Sequence, residues 1–248
     1  MKKLSDLISN NHLLTPKKKT ENALWTTASR SETNTASNVQ DIDEIYHRFI
    51  VFDQQQVPEF ATDEMNKLFI QKMLAYFSAN QAVCQRLDID PKKGLLLMGP
   101  VGCGKTTLIT LGAAFFARQR FRIVTTRLIR QQFMKDGFSA LLRYESASYR
   151  VKHLGYGPVL QYDQPITYCL DDVGTESPVK HFGNPCNVVS EVVLERYDQF
   201  VARGLITHLT TNLDAKAFSQ RYHLRVRSRL REMCNLIAFP SDAKDWRR

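Results

Sequence analysis

The stretch GPVGCGKTT, Gly99 to Thr107, spaces two glycines, a lysine and a threonine as G-x-x-x-x-G-K-[ST]. These residue types suit one task, the holding of phosphate. Backbone N–H groups of a glycine-rich turn and of the helix after it can cradle oxyanions, because glycine lets the main chain approach closely. Lys105 adds a mobile positive charge, and the Thr106 hydroxyl can take a place around Mg²⁺. Gly99, Pro100, Val101, Gly102, Cys103, Gly104, Lys105, Thr106 and Thr107 are therefore the expected nucleotide-binding residues.

Two further stretches can complete that chemistry. ITYCLDD is an apolar run that ends in Asp171 and Asp172. A carboxylate at the end of a strand beside the phosphate turn can hold the Mg²⁺ shell, the role expected of Asp171. A second acid beside it can polarise a water for attack on a terminal phosphate, which suits Asp172 to hydrolysis rather than to transfer onto a small-molecule acceptor. LITHLTTN delivers Thr210, Thr211 and Asn212 where a strand ends, and the Asn212 amide can orient the attacking water.

Near the carboxyl end, LRVRSRLREM places arginine at every second position from Arg225 to Arg231. A strand would oppose all four arginines to a half-polar face. A helix sorts the residues better, since Val226, Leu230 and Met233 fall at i, i+4 and i+7. Arg225 and Arg229 then stack along one edge of that stripe, and Arg227 and Arg231 along the other. Each pair can be a solvated flank, a contact to nucleic-acid phosphate or a cation aimed at a nucleotide.

The elements that must position these residues are legible as alternation. GLLLM, FRIVTT, ITYCL, LITHLTT and NLIAF read as strands with helices between them, and helical segments are expected up to about Arg150. That pattern predicts an α/β fold with a five-stranded, mostly parallel sheet and helices on both faces. Residues 1–45 are rich in Ser, Thr, Asn and Lys and predict a flexible polar tail. Residues 46–90 predict a helical linker, with Thr62 as an N-cap, and residues 91–248 form the expected phosphate-binding domain.

The chain has 248 residues, 43% of them hydrophobic, and a formal net charge of +9. No apolar run approaches the roughly 20 residues that span a bilayer, and MKKLSDLISNN turns polar before any signal-like core, so a cytoplasmic protein without a membrane partner is expected. Five dispersed cysteines without a CxxC pair predict free thiols rather than disulfides or zinc. The excess charge lies in two regions: Arg118 to Lys152 carries nine Lys or Arg against two acids, and Arg221 to Arg248 eight against three. The first, with Phe121, Phe133, Phe138 and Tyr144 interleaved, has the composition for single-stranded DNA contact, and equally that of helices with aromatic core faces.

Taken in order, GPVGCGKTT, CLDDVGTE, LTTNL, RVRSRL and DWRR resemble the AAA+ P-loop ATPases of the DnaC-type helicase-loader and IstB-type transposition-helper group, over roughly Lys93 to Arg248. The resemblance implies ATP and Mg²⁺ at the P-loop and Asp171, catalysis by Lys105 and Asp172, and Asn212 as sensor 1. It also implies an arginine finger at Arg225 or Arg229, reaching ATP on a neighbouring copy in a homo-oligomer with shared sites. Arg247 would serve as sensor 2 in a very small C-terminal segment that stands in place of a full lid. The function implied is a DNA-replication ATPase acting on a replicative helicase, or else a transposition helper that recruits a transposase. A nucleotide-gated adaptor with little hydrolysis carries the same motifs.

Overall fold

The computed structural model describes residues 41–56, 64–116, 121–145, 149–154, 157–162, 166–181 and 183–246. Residues 1–40 of the expected tail, Thr62 and Arg247 lie outside the described residues, whereas residues 42–45, expected to end that tail, open a helix with Ile42 and Ile45 buried.

Five strands form one sheet: β1 (Gly94–Met98), β2 (Arg122–Thr125), β5 (Tyr168–Val173), β8 (Thr207–Thr211) and β9 (Cys234–Ala238). Their order is β2-β5-β8-β1-β9, and every pairing is parallel. Parallel sheets bury both faces, which is why β1 and β8 are buried at every position. Strand alternation divides the core in two. Leu95 and Leu97 pack with α1 (Ile42–Gln56), α2 (Glu64–Ser78) and α4 (Lys105–Phe116). Leu96 and Met98 face the other way, against α5 (Thr126–Asp136), α7 (Val188–Arg203) and α9 (Leu224–Met233). Ile42, Ile45 and Phe49 of α1 share the first of these cores, so the described helices ahead of β1 pack on the sheet itself.

Local sequence explains where the helices begin. Asn80 caps α3 (Gln81–Arg86), Thr125 caps α5, Asn187 caps α7 and Asp214 caps α8 (Ala215–Arg221). The arginine helix is a helix, with Val226, Leu230 and Met233 on its buried stripe.

Two hairpins interrupt the expected alternation. Beyond α6 (Leu142–Glu145) the chain forms β3 (Tyr149–Leu154) and β4 (Gly157–Tyr162), paired antiparallel, where helix was expected to Arg150. β6 (Val179–His181) and β7 (Asn184–Cys186) form a second small antiparallel pair between β5 and α7. After β9, Phe239 to Trp246 run without a helix. Among the described residues no helix is long and apolar enough to cross a membrane. The cysteines are unpaired, and the described residues include no cluster of three or more His, Cys, Asp or Glu that could hold a metal ion.

Candidate active site

All five strands of the parallel sheet end on the same edge, where ligands of such sheets bind. β1 runs into the glycine-rich turn, whose sharp path needs positive φ at Gly102 (80°) and Gly104 (88°). Lys105 opens α4 and turns back over the loop. Its Nζ donates to the carbonyls of Gly99 (2.9 Å) and Pro100 (2.8 Å) and to Asn212 Oδ1 (2.7 Å), and lies 3.6 Å from Cys103 Sγ. Burial depresses the Lys105 pKa, against the raising effects of the Cys103 thiol and of Asp172 and Asp171. A buried cation held by neutral carbonyls is poised to exchange them for phosphate oxygens.

Asn212 reaches Lys105 because of sheet order. β8 lies between the phosphate-turn strand β1 and the acidic strand β5. The residue leaving β8 therefore stands between Lys105 and the acids. Asn212 accepts from Lys105 through Oδ1 and donates through Nδ2 to Asp172 Oδ1 at 3.1 Å.

The two aspartates share the site for a reason that strand periodicity obscures. Successive residues of a strand point to opposite faces. Here Leu170 pairs with Leu209 and Val173 with Thr211, so Asp171 and Asp172 together stand opposite Thr210. That bulge, with Asp172 in the left-handed region (φ 57°), breaks the alternation. Thr210 holds it: its Oγ1 accepts from the Asp172 N–H at 3.0 Å and donates to Asp171 Oδ1 at 2.6 Å. Thr126 Oγ1 donates to the Asp172 carbonyl at 2.9 Å.

Thr106 Oγ1 also donates to Asp171 Oδ1, at 2.6 Å. Burial raises the Asp171 pKa, while the bonds from Thr106 and Thr210 oppose the rise. A half-buried hydroxyl joined to a buried carboxylate beside the phosphate turn fits a divalent cation, which Thr106 Oγ1 and Asp171 would hold.

The chain after β9 returns to this edge. Phe239 N–H donates to the Met98 carbonyl, and Trp246 N–H to the Gly102 carbonyl at 3.1 Å. Arg247 follows Trp246 directly but lies outside the described residues.

The arginine helix separates its members. Arg229 stacks on Tyr197 of α7 in the same subunit, 4.1 Å from the ring centroid, and donates from Nη1 to Tyr197 Oη at 3.0 Å. Glu232 accepts from Tyr197 Oη and lies 4.0 Å from Arg229. Arg227 donates to the Ser219 carbonyl at 3.3 Å. Arg225 is exposed, lines an open cleft with His223, Leu224, Ser228 and Arg229, and has no hydrogen bond or ion pair among the described residues. In the first basic region, Phe133 and Tyr144 are buried core residues and Phe121 packs against His208. Phe138 is half exposed, and Arg127, Lys135 and Arg143 of the same segment are exposed.

Sequence reasoning missed three positioning groups. Thr210 was visible only as part of the strand end. Thr126 and Tyr197 carry no local signal, since each acts through a partner distant in the chain.

A glycine-rich phosphate turn after β1, an inserted β8 and a paired acidic strand end define the architecture. The fold is that of a P-loop NTPase. No family model matches the chain, and no curated protein sequence matches it. Similar solved structures include the DnaC helicase loader, 19% identical over 78% of this chain and 99% of that one, with a TM-score of 0.47. DnaI is also 19% identical, over 78% of this chain and 94% of its own, with a TM-score of 0.48. AMPPCP-bound DnaA from Aquifex aeolicus is 15% identical over 75% of this chain and 50% of that chain, with a TM-score of 0.41.

Proposed function

We propose that this chain is an ATP-hydrolysing AAA+ protein of DNA replication, a helicase-loader-like factor that assembles with copies of itself and shares its ATP sites between them. One observation carries the reading: Lys105, Asn212, Asp172, Asp171, Thr210 and Thr106 form one unbroken hydrogen-bonded set at the strand ends. The P-loop from Gly99 to Thr107 binds the phosphates of ATP, with Lys105 moving from its carbonyl partners onto them. Mg²⁺, held by Thr106 and Asp171, supplies charge neutralisation at the phosphates. Asp172 accepts a proton from the attacking water, and Asn212 keeps Asp172 and Lys105 in register.

Arg225, exposed and unpaired among the described residues, is the finger offered to ATP on a neighbouring copy; Arg229 is engaged within its own subunit. Arg127, Lys135 and Arg143, with Phe138, are the surface offered to single-stranded DNA, and the protein partner is a replicative helicase.

Asp172→Asn tests the catalytic reading. It is expected to keep nucleotide affinity within about twofold while turnover falls about 10²-fold, the usual worth of a positioned base. Undiminished turnover would remove Asp172 from the chemistry.

A further inference from the structure

Four residues beyond Asp172, Glu176 is a charged side chain almost wholly buried, at 3% exposure. A buried carboxylate is costly unless its oxygens are satisfied. Here they are satisfied from two directions. Oε2 accepts the N–H of Gly174, in the turn that leaves the acidic strand, at 2.8 Å. Oε1 accepts the hydroxyl of Tyr222 at 2.5 Å. Arg221 adds charge 3.6 Å from Oε1 and donates from Nη2 to the Glu176 carbonyl.

The two ends of this bridge lie in separate parts of the machinery. On one side, the turn is fixed relative to Asp172: Thr175 donates to the Asp172 carbonyl through both N–H (3.2 Å) and Oγ1 (2.8 Å). Gly174 has φ 100°, and a Cβ there would lie 2.4 Å from Leu213, the residue after Asn212. The turn is thus bonded to Asp172 and packed against the residue that follows Asn212. On the other side, Arg221 closes α8 and Tyr222 is buried, three residues before Arg225 at the start of α9.

We propose that Glu176 is a positioning residue that joins the Asp172 turn to the segment carrying Arg225, so that the base a subunit uses on its own ATP and the arginine it lends to its neighbour move as one piece. This rests on the shared-site reading of the ATPase above. A rigid tie through one carboxylate makes the arrival of Arg225 at a neighbour's phosphate register at Asp172 of the subunit that sent it.

Tyr222→Phe tests the tie, because it keeps the buried ring and removes only the hydroxyl from Glu176; Glu176→Gln is the second variant. Turnover at saturating ATP is expected to fall at least fivefold, with nucleotide Kd within twofold of the unmodified protein and the unfolding temperature within a few degrees. In a double-mutant cycle with Arg225→Lys, the two losses should be markedly less than multiplicative. Full turnover in Tyr222→Phe and Glu176→Gln, or losses that multiply, overturns the proposal, as does a turnover loss matched by lost nucleotide binding or lost stability. Full turnover in Arg225→Ala alongside low turnover in Tyr222→Phe would sink the shared-site reading and the coupling with it. An inactive Arg225→Ala with a fully active Tyr222→Phe sinks the coupling alone.

Discussion

Lys105 and Asn212, 107 residues apart in the chain, are joined by a 2.7 Å hydrogen bond from Nζ to Oδ1. The bond exists because β8 lies beside β1, and it places an amide between the cation and Asp172. Asn212→Ala leaves Lys105 with the Gly99 and Pro100 carbonyls and Asp172 without its amide donor. We expect steady-state turnover to fall about tenfold or more while nucleotide affinity changes little, since a group that orients the attack acts on the transition state. Fluorescent-nucleotide titration beside a phosphate-release assay separates the two quantities.

Arg225 and Arg229 occupy the same edge of one helix but have different surroundings. Arg225→Ala should leave the unfolding temperature unchanged and lower turnover by about 10³-fold, the lower end of what an arginine finger contributes. Arg229→Ala removes the stack on Tyr197 and should lower the unfolding temperature by a few degrees with a smaller loss of turnover. Calorimetry and turnover on both variants decide between the arginines.

Much of this site could be read from residue order, because its parts have local signals. The P-loop, the apolar run into Asp171 and Asp172, and the i, i+4, i+7 stripe of Val226, Leu230 and Met233 each sit within a few residues. The hairpins β3–β4 and β6–β7 could not be read so, since neither has a sustained period and each lies between recognisable elements. Arg229 looked equivalent to Arg225 because helix geometry fixes only the edge; Tyr197, 32 residues away, makes the difference. Charge with interleaved aromatics fits DNA contact and core-facing helices alike; Phe133 and Tyr144 serve the core, a distinction that depends on which helix face the sheet covers.

Asp53 of α1 is fully buried, and neither carboxylate oxygen has a hydrogen-bond partner among the described residues. Burial raises its pKa to about 7. Between the ordinary carboxylate value and about 7 the folded protein holds a proton that the unfolded chain releases, so stability is greatest at low pH and declines as pH rises through that window. Asp53→Asn removes this slope. The variant should melt a few degrees higher than the unmodified protein at pH 8, with the difference closing toward pH 4. Thermal melts across that range check the sign.

Gly102 has φ 80°, and a Cβ there would lie 1.8 Å from an Asp245 carboxylate oxygen. Gly102→Ala adds about 1–2 kcal/mol of backbone strain and displaces the Asp245 side chain from the turn. Nucleotide affinity should fall several-fold. Adding Asp245→Ala relieves the collision but not the strain, so the double variant should recover only part of the loss, as titration with a fluorescent nucleotide will read.

The most direct measurement is ATP turnover per subunit across a range of protein concentrations, with and without single-stranded DNA, with Lys105→Ala as the blank. Sites completed by Arg225 of a neighbouring copy predict specific activity that climbs with concentration and shifts with DNA, and that stays low at every concentration in Arg225→Ala. Turnover per subunit that is flat with concentration and indifferent to DNA and to Arg225 would contradict the shared-site account.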